Sequence, residues 1–350
     1  MKKKNVVSLV YSLENTFVKK DIDYLSTITK KLYLRSSRPD KDPLRFLWNR
    51  VSELFFSLFY VSRSKIIFCW FNDYHAFFPL LIASLFSKKS VLIVGGYDGV
   101  ADQTLKYGLF YRTNWRQKLA KINYHMARCI WVVDETLAFG CPNAKSQERI
   151  LSGIKTFLPK LTTPIKIVPT GYDPIFWKAT KEKTPKTILT VANVPDLRTY
   201  QRKGIDLFMK LAKALPNYKF TLAGIDFKLQ KHDTLPQNVT LLGTQDTKQL
   251  REIYSAHTYY FQGSRVEGLP NVLCEAMLCE CIAIGRNVFG MPKAIGDTGF
   301  LFNPYEQWNE MIHFITQDNP ELGKKGRARV QKQFHQKRRY DTLLETINKE

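Results

Sequence analysis

Gly263-Ser-Arg-Val-Glu-Gly-Leu-Pro-Asn-Val-Leu-Cys-Glu-Ala-Met277 is where the period of the chain changes. Before it, Ala256-His-Thr-Tyr-Tyr-Phe-Gln262 has the β-branched and aromatic character of a short strand. After it, Asn271 to Cys281 reads as a helix, with Pro270 suited to the first turn and Gly268 freeing the loop backbone. A strand therefore runs through a glycine-containing loop into a helix whose free N–H groups and positive dipole end suit an anion. Glu267 lies in the loop and Glu275 eight residues later in the helix, about 7 Å further along its axis at ~1.5 Å rise per residue. Two carboxylates so spaced straddle an object of diphosphate size, and each can accept hydrogen bonds from vicinal hydroxyls. One glutamate for a sugar, the other for a ribose and phosphates between them at Gly268, Leu269, Pro270 and Asn271 describe a nucleotide-sugar site.

Outward from this stretch the chain alternates strand and helix. Thr187–Ala192, Tyr218–Ala223 and Val239–Leu242 read as strands, Ile205–Leu215 and Lys248–His257 as helices, with a polar loop ending in Arg202-Lys203-Gly204. Pro169-Thr-Gly-Tyr-Asp-Pro-Ile-Phe-Trp177 and the charged run Lys178–Lys186 break the pattern and mark a domain boundary. Before it, strands are expected at Asn5–Tyr11, Lys65–Phe71, Ser90–Val94, Cys129–Val133 and Ile165–Val168. Helices are expected at Leu44–Val61, Ala76–Ser87, Trp115–Arg128 and Ser146–Leu158, and Leu47, Val51, Leu54, Phe55 and Leu58 are read as a core-facing stripe, with a membrane-facing helix as the rival reading. Such alternation implies parallel sheets covered by helices, here an α/β fold of two Rossmann-like domains, 1–176 and 177–319, facing a cleft, with a helical segment 320–350 at the end. The loops Asn72–His75 and Gly95–Asp98 fall on the functional edge of the first sheet. Ser12–Phe17, where a dinucleotide-binding domain has its glycine-rich turn, argues against NAD. Asp21-Ile-Asp23 sits among helix-like residues and is read as a chance Asp-x-Asp.

Ser264 to Met277, followed by Cys281-Ile-Ala-Ile-Gly285, closely resembles the two-glutamate signature of glycosyltransferase family 4, the group 1 glycosyl transferases. That family comprises retaining enzymes of GT-B architecture, and the resemblance implies a transfer from a nucleoside-diphosphate sugar to a hydroxyl acceptor. It implies that Lys203 contacts the donor diphosphate, with Arg198 or Arg202 as a second cation, since Asn193 stands where many members carry arginine. Gly243 and Thr244 match the turn bordering the base, and Glu267, Gly268, Leu269, Pro270, Asn271 and Glu275 complete the donor side. Members often end the corresponding N-terminal strand in His-Gly-x-Asp; this chain reads Gly95-Gly96-Tyr97-Asp98, so Asp98 matches and the histidine does not. His75, one loop earlier, is either a partial replacement or a loop histidine packed beside Trp70 and Phe71. Asp98, Glu267 and Lys203 are thus the expected catalytic residues, and Asn72, His75, Gly95, Gly96 and Tyr97 the expected acceptor side. No metal and no cofactor are expected, and the segment from residue 320 is expected to cross back onto the first domain.

Composition bounds the alternatives. The chain of 350 residues is long enough for two cores, and its net charge of +22 suits nucleotide sugars, lipid phosphates, an anionic membrane or nucleic acid. Neither zinc-finger spacing nor an RNA-binding aromatic motif is present, so no nucleic acid is expected as partner. The six cysteines lack disulfide or zinc spacing and read as buried thiols. Met1-Lys-Lys-Lys-Asn5 precedes an apolar run too interrupted for a signal peptide, and the longest apolar run, Ala76–Phe86, falls short of the ~20 residues that span a bilayer. The expected place is the cytoplasm, with peripheral contact at the inner face of an anionic membrane as the variant. The expected role is cell-surface polysaccharide or lipid-linked glycan synthesis, acting on a glycan or lipid-linked acceptor. The rival readings are a non-catalytic GT-B-like subunit partnering an active transferase and a basic α/β nucleic-acid-binding protein.

Overall fold

The structure, a computed structural model, describes residues 5–37, 40–225 and 235–349; the Met1–Lys4 leader reading lies outside them. The chain divides into two units, residues 1–171 with 337–350, and residues 172–336.

Unit 1 is built on β1 (Val6–Tyr11), β2 (Lys31–Ser36), β3 (Ile66–Trp70), β4 (Lys89–Val94), β5 (Val100–Asp102), β6 (Cys129–Val132), β7 (Ile150–Ser152) and β8 (Ile165–Ile167). Six form a sheet in the order β2-β1-β3-β4-β6-β8, every pair parallel. β3 is buried along its whole length, as a strand covered on both faces must be. The order reverses between β1 and β3, so the crevice of this sheet opens beyond Tyr11 and Trp70.

Unit 2 repeats the plan with β9 (Thr184–Val194), β10 (Lys219–Ile225), β11 (Val239–Leu242), β12 (His257–Gln262), β13 (Ile282–Arg286) and β14 (Gly299–Phe302). Its order is β11-β10-β9-β12-β13-β14, again all parallel, and the reversal lies between β9 and β12. The core between sheet and helices is aliphatic and aromatic, with Phe208 against Phe220 and Phe261 and Phe261 against Phe302.

The segment after residue 320 is divided between the two units. Helix Glu321–Phe334 stays with unit 2, where Arg327 donates to the carbonyls of Trp177 and Pro174 (both 2.8 Å) and Gly323 leaves no room for a Cβ against Glu280 O. Helix Gln336–Asn348 is the returning element. Its anchor is Arg339, buried to 2 % exposure, whose Nε and Nη2 donate to Asp21 Oδ1 and Oδ2 (3.0 and 2.5 Å) and Nη1 to Val168 O (3.1 Å). The guanidinium also lies 5.3 and 5.1 Å from the ring centres of Trp70 and Trp131. Asp21, set aside as a chance motif, is therefore the seat of the C-terminal helix. The first boundary moves too, from 176 to Gly171.

Two helix readings need correction. Ser146–Leu158 is not one helix: helix Pro142–Glu148 gives way to β7, which pairs antiparallel with β5, and then to helix Ile154–Phe157. Arg149 and Gly153 take positive φ at the two breaks, and the partner strand lies some fifty residues away, beyond the reach of local periodicity. The second concerns helix Pro43–Phe56 and its π-helical continuation Ser57–Val61. The apolar stripe read as core points outward: Leu47, Val51, Phe55 and Leu58 are exposed and Leu54 is only half-buried. The buried residue is Glu53, which meets the Ser37 hydroxyl and Arg50 Nη2 (2.7 Å). Burial pushes the Glu53 carboxyl up to about 7, with the Ser37 hydrogen bond and the Arg50 charge pulling the other way.

None of the six cysteines forms a disulfide; five are buried and Cys129 is half-buried. Among the described residues no helix is long and apolar enough to cross a membrane.

Candidate functional site

In an open parallel sheet ligands bind beyond the carboxyl ends of the strands where the order reverses. In unit 2 that place lies between the loops after β9 and β12. The first loop contains helix Leu197–Lys203, started by Asp196, whose carboxylate accepts from Thr199 N–H (2.7 Å). Gly204 ends it in the left-handed region at φ +69°, and a new helix, Ile205–Ala214, starts at once. That glycine is required twice, because a Cβ on it would also overlap Gly263 O in the loop after β12. Arg265 N–H donates to Arg202 O (2.9 Å), closing the two loops on each other.

The consequence is an ion pair between Lys203 and Glu267, residues 64 apart in sequence. A hydrogen-bonded relay in the core orients it. Tyr260 OH donates to Gln262 Oε1 (3.3 Å), Gln262 Nε2 to Ser264 Oγ (2.7 Å), and Ser264 Oγ to Glu267 Oε1 (3.0 Å). Burial pushes the Glu267 carboxyl up, but the Lys203 and Arg202 charges and the hydrogen bonds from Lys203 and Ser264 outweigh it and hold it below its ordinary value. Glu267 is charged and preorganised.

Next in the chain is helix Asn271–Leu278. Pro270 takes the N-cap position without a side-chain cap, so the cap itself supplies no acceptor to the first-turn N–H groups. The loop before it is pinned: Gly290 N–H donates to Gly268 O (3.0 Å), and Gly290 leaves no room for a Cβ there. Asn271 Oδ1 accepts from Tyr172 OH (2.8 Å). Glu275 is buried one turn further in, where its charge and that of Glu267 both raise the Tyr260 phenol, after burial itself.

Arg202 is half-buried and acts on Glu267, whereas Arg198 is exposed on the outer turn of its helix. Gly243 and Thr244 follow β11, two strands from the switch point; Gly243 O accepts from Gly224 N–H (3.2 Å). Two cations were not singled out from the sequence. Arg265 follows β12 and Arg286 ends β13, and both charges act on Asp206 beside Gly204. Their position at strand ends was the available signal.

In unit 1 the predicted residues lie in the loops after β3 and β4. Asp98 is fully buried, and its carboxylate accepts from Asn72 N–H (3.0 Å), Gly95 N–H (3.1 Å) and Gly96 N–H (3.0 Å). Burial raises it to about 6, against the backbone hydrogen bonds from Gly96, Asn72 and Gly95. Asp98 therefore ties the loops after β3 and β4 together. Asn72 is consumed likewise, donating to Ala120 O (3.0 Å) and accepting from Asn123 Nδ2 (2.9 Å). His75 is buried with Nε2 on Trp70 O (3.0 Å) and its ring held below its ordinary value by burial. Gly95 packs under the Phe71 ring, and half-buried Tyr97 packs edge-on against Tyr107. Asp98→Asn places an amide N–H₂ against a backbone N–H on one side of this clamp. A loss of about 2–3 kcal/mol is expected, read as a lower melting temperature of unit 1; a melting curve that overlays wild type would contradict the clamp.

Residues 172–333 match the family "Glycosyl transferases group 1". A curated relative, the phosphatidylinositol N-acetylglucosaminyltransferase gpi3 subunit of Schizosaccharomyces pombe, is 26 % identical over 141 residues, a match covering 37 % of this chain and 30 % of that relative's length. Sucrose-phosphate synthase from Thermosynechococcus elongatus superposes with a TM-score of 0.69 at 15 % identity, covering 98 % of both chains. Anabaena HepE in complex with UDP-glucose gives 0.70 at 13 %, covering 98 % of this chain and 99 % of its own. A glycosyltransferase from Rickettsia africae gives 0.68 at 11 %, covering 99 % and 98 %. At these identities the shared property is the fold, two six-stranded parallel α/β sheets of the GT-B type.

Proposed function

We propose, from the group 1 glycosyl transferase match of residues 172–333, that unit 2 holds a nucleoside-diphosphate sugar and that the chain transfers the sugar to a hydroxyl acceptor with retention. The observation that carries the reading is the Lys203–Glu267 pair at the β9/β12 switch point, next to the start of helix Asn271–Leu278. The leaving diphosphate gathers negative charge as the glycosidic bond breaks. Lys203, Arg202 and the N–H groups of Gly268, Leu269 and Asn271 are fixed before the reaction and stabilise that charge. In this reading the stabilising charge comes from the protein's own groups, with no metal or cofactor called for. Glu267, released from Lys203 as the diphosphate takes the ammonium, holds sugar hydroxyls. Glu275 holds the ribose. UDP-sugars are the donors to try first, because HepE was solved with UDP-glucose.

The acceptor falls to unit 1, at the loops held by Asp98. In this reading the leaving phosphate takes the acceptor's proton, a role supported by the burial of both Asp98 and His75. A glycan or lipid-linked acceptor of the cell envelope, used from the cytoplasmic side, fits the basic chain. The same burial favours a second reading, a donor-binding subunit without turnover of its own.

Glu275→Ala separates the ribose role from a purely structural one. The variant should lose about tenfold in affinity for a nucleoside diphosphate, in line with a charged hydrogen bond of ~1.5–3 kcal/mol. A 2′,3′-dideoxy analogue should lose much less, and equal losses for both would remove Glu275 from the ribose. Release or transfer of a radiolabelled sugar by wild type distinguishes enzyme from subunit: donor bound but neither hydrolysed nor transferred supports the subunit.

A further inference from the structure

We infer that the outward face of helix Pro43–Phe56 and its continuation Ser57–Val61 docks onto a bilayer surface carrying anionic headgroups. Seven large apolar side chains share that face, Leu44, Leu47, Trp48, Val51, Phe55, Leu58 and Phe59, and all are exposed, Leu44 to 79 % and Trp48 to 71 %. Their spacing of three, one, three, four, three and one residues keeps them within a stripe of roughly 120° at ~3.6 residues per turn. On the opposite side Glu53 and Ser57 are buried, with Arg50 half-buried beside them. Glu53 is held by Arg50 and Ser37, and Ser57 Oγ donates to Glu53 O (2.6 Å). These polar anchors fix the helix with its apolar stripe turned to the outside. A soluble protein seldom exposes so large a contiguous apolar face without a partner for it.

The rim identifies the partner. Lys41, Arg45 and Arg63 are exposed around the stripe, and the Arg63 guanidinium lies 5.9 Å from the centre of the exposed Phe59 ring. The acidic residues beside these cations are Asp40, which accepts from Asp42 N–H (3.0 Å), Asp42 at the helix N-cap, where it accepts from the N–H groups of Leu44 and Arg45, and the buried Glu53. An apolar stripe of Trp, Phe and Leu bordered by cations is the pattern of a helix lying in a membrane interface. A second copy of the chain would bring two basic rims together, and the net charge of +22 adds to that repulsion. The inner side of the helix packs on the loop Asn72–His75 of unit 1: Phe46 lies 5.2 Å from Tyr74 and 6.2 Å from Trp115, itself exposed, while Arg50 lies 4.3 Å over Tyr74. Docking therefore sets the loop Asn72–His75 about one helix diameter, ~10 Å, from the headgroup layer. The docking itself does not depend on the transferase reading.

The test is flotation of the full chain with vesicles of phosphatidylcholine alone and of phosphatidylcholine mixed with phosphatidylglycerol. Binding to the mixed vesicles and little to the neutral ones is expected. Trp48→Ser, Phe55→Ser and Phe59→Ser together should weaken it by about tenfold or more, because a surface helix binds through its buried apolar area. Arg45→Gln with Arg63→Gln should weaken it several-fold on the mixed vesicles, while Ile175→Ser, an exposed apolar residue of unit 2, should leave it unchanged. Circular dichroism establishes that each variant is folded. A folded triple variant that floats like wild type overturns the proposal. So does wild type that binds no vesicle and instead forms a dimer dissolved by the same three substitutions.

Discussion

Arg339→Ala should release the C-terminal helix from unit 1 and cost about 3–5 kcal/mol, the penalty of leaving the other half of a buried ion pair uncompensated. Asp21 would keep the Trp70 Nε1 hydrogen bond (2.7 Å) but lose both charged ones. The gap between Trp70 and Trp131 would also lose the cation that both rings face. Arg339→Lys preserves the charge but not the two-pronged contact, so an intermediate loss is expected. Thermal unfolding followed by tryptophan emission reads the effect directly, since two of the six tryptophans flank the site. Melting of Arg339→Ala within a degree or so of wild type would show that the helix is held by its apolar face alone.

The second large effect is expected from Gly204→Val. The position has φ +69°, which costs an ordinary residue about 1–2 kcal/mol, and a β-branched side chain would run into the backbone of Gly263. The loops after β9 and β12 must then part, separating Lys203 from Glu267. Affinity for a nucleoside diphosphate should fall by about tenfold to a hundredfold, since a charged contact and the helix-start geometry are disturbed together. Gly99→Ala is the control. A Cβ there meets Leu137 O at 3.5 Å, an ordinary contact, and the residue lies in unit 1, so donor affinity should not change. Equal affinity in Gly204→Val and wild type would mean that loop apposition is irrelevant to binding.

What the sequence made legible was whatever local pattern controls. Alternation of strands and helices located both sheets, and the strand–loop–helix stretch around Glu267 located the switch point of the second. Missing were features decided by tertiary partners. Apolar spacing marks one face of a helix but not which way it turns. In Leu44–Val61 the direction is set by Glu53 meeting Arg50 and Ser37, a polar contact invisible to periodicity. β7 exists because β5 pairs with it. Asp21 and Arg339 stand 318 residues apart, and nothing local links them. At Asp98 a carboxylate on a βα loop was legible, whereas the three backbone N–H groups that converge on it were not, since they come from two separate loops. Arg265 and Arg286 lay at strand ends, where a rule about position alone would have flagged them.

The central claim is that unit 2 binds a nucleoside diphosphate through Lys203 at the β9/β12 switch point. Calorimetric titration of UDP into wild type and Lys203→Ala tests it most directly. The variant removes one charge from the phosphates and leaves Glu267 facing them unneutralised, so binding should weaken by about tenfold or more. A folded Lys203→Ala that binds UDP as tightly as wild type would contradict the claim.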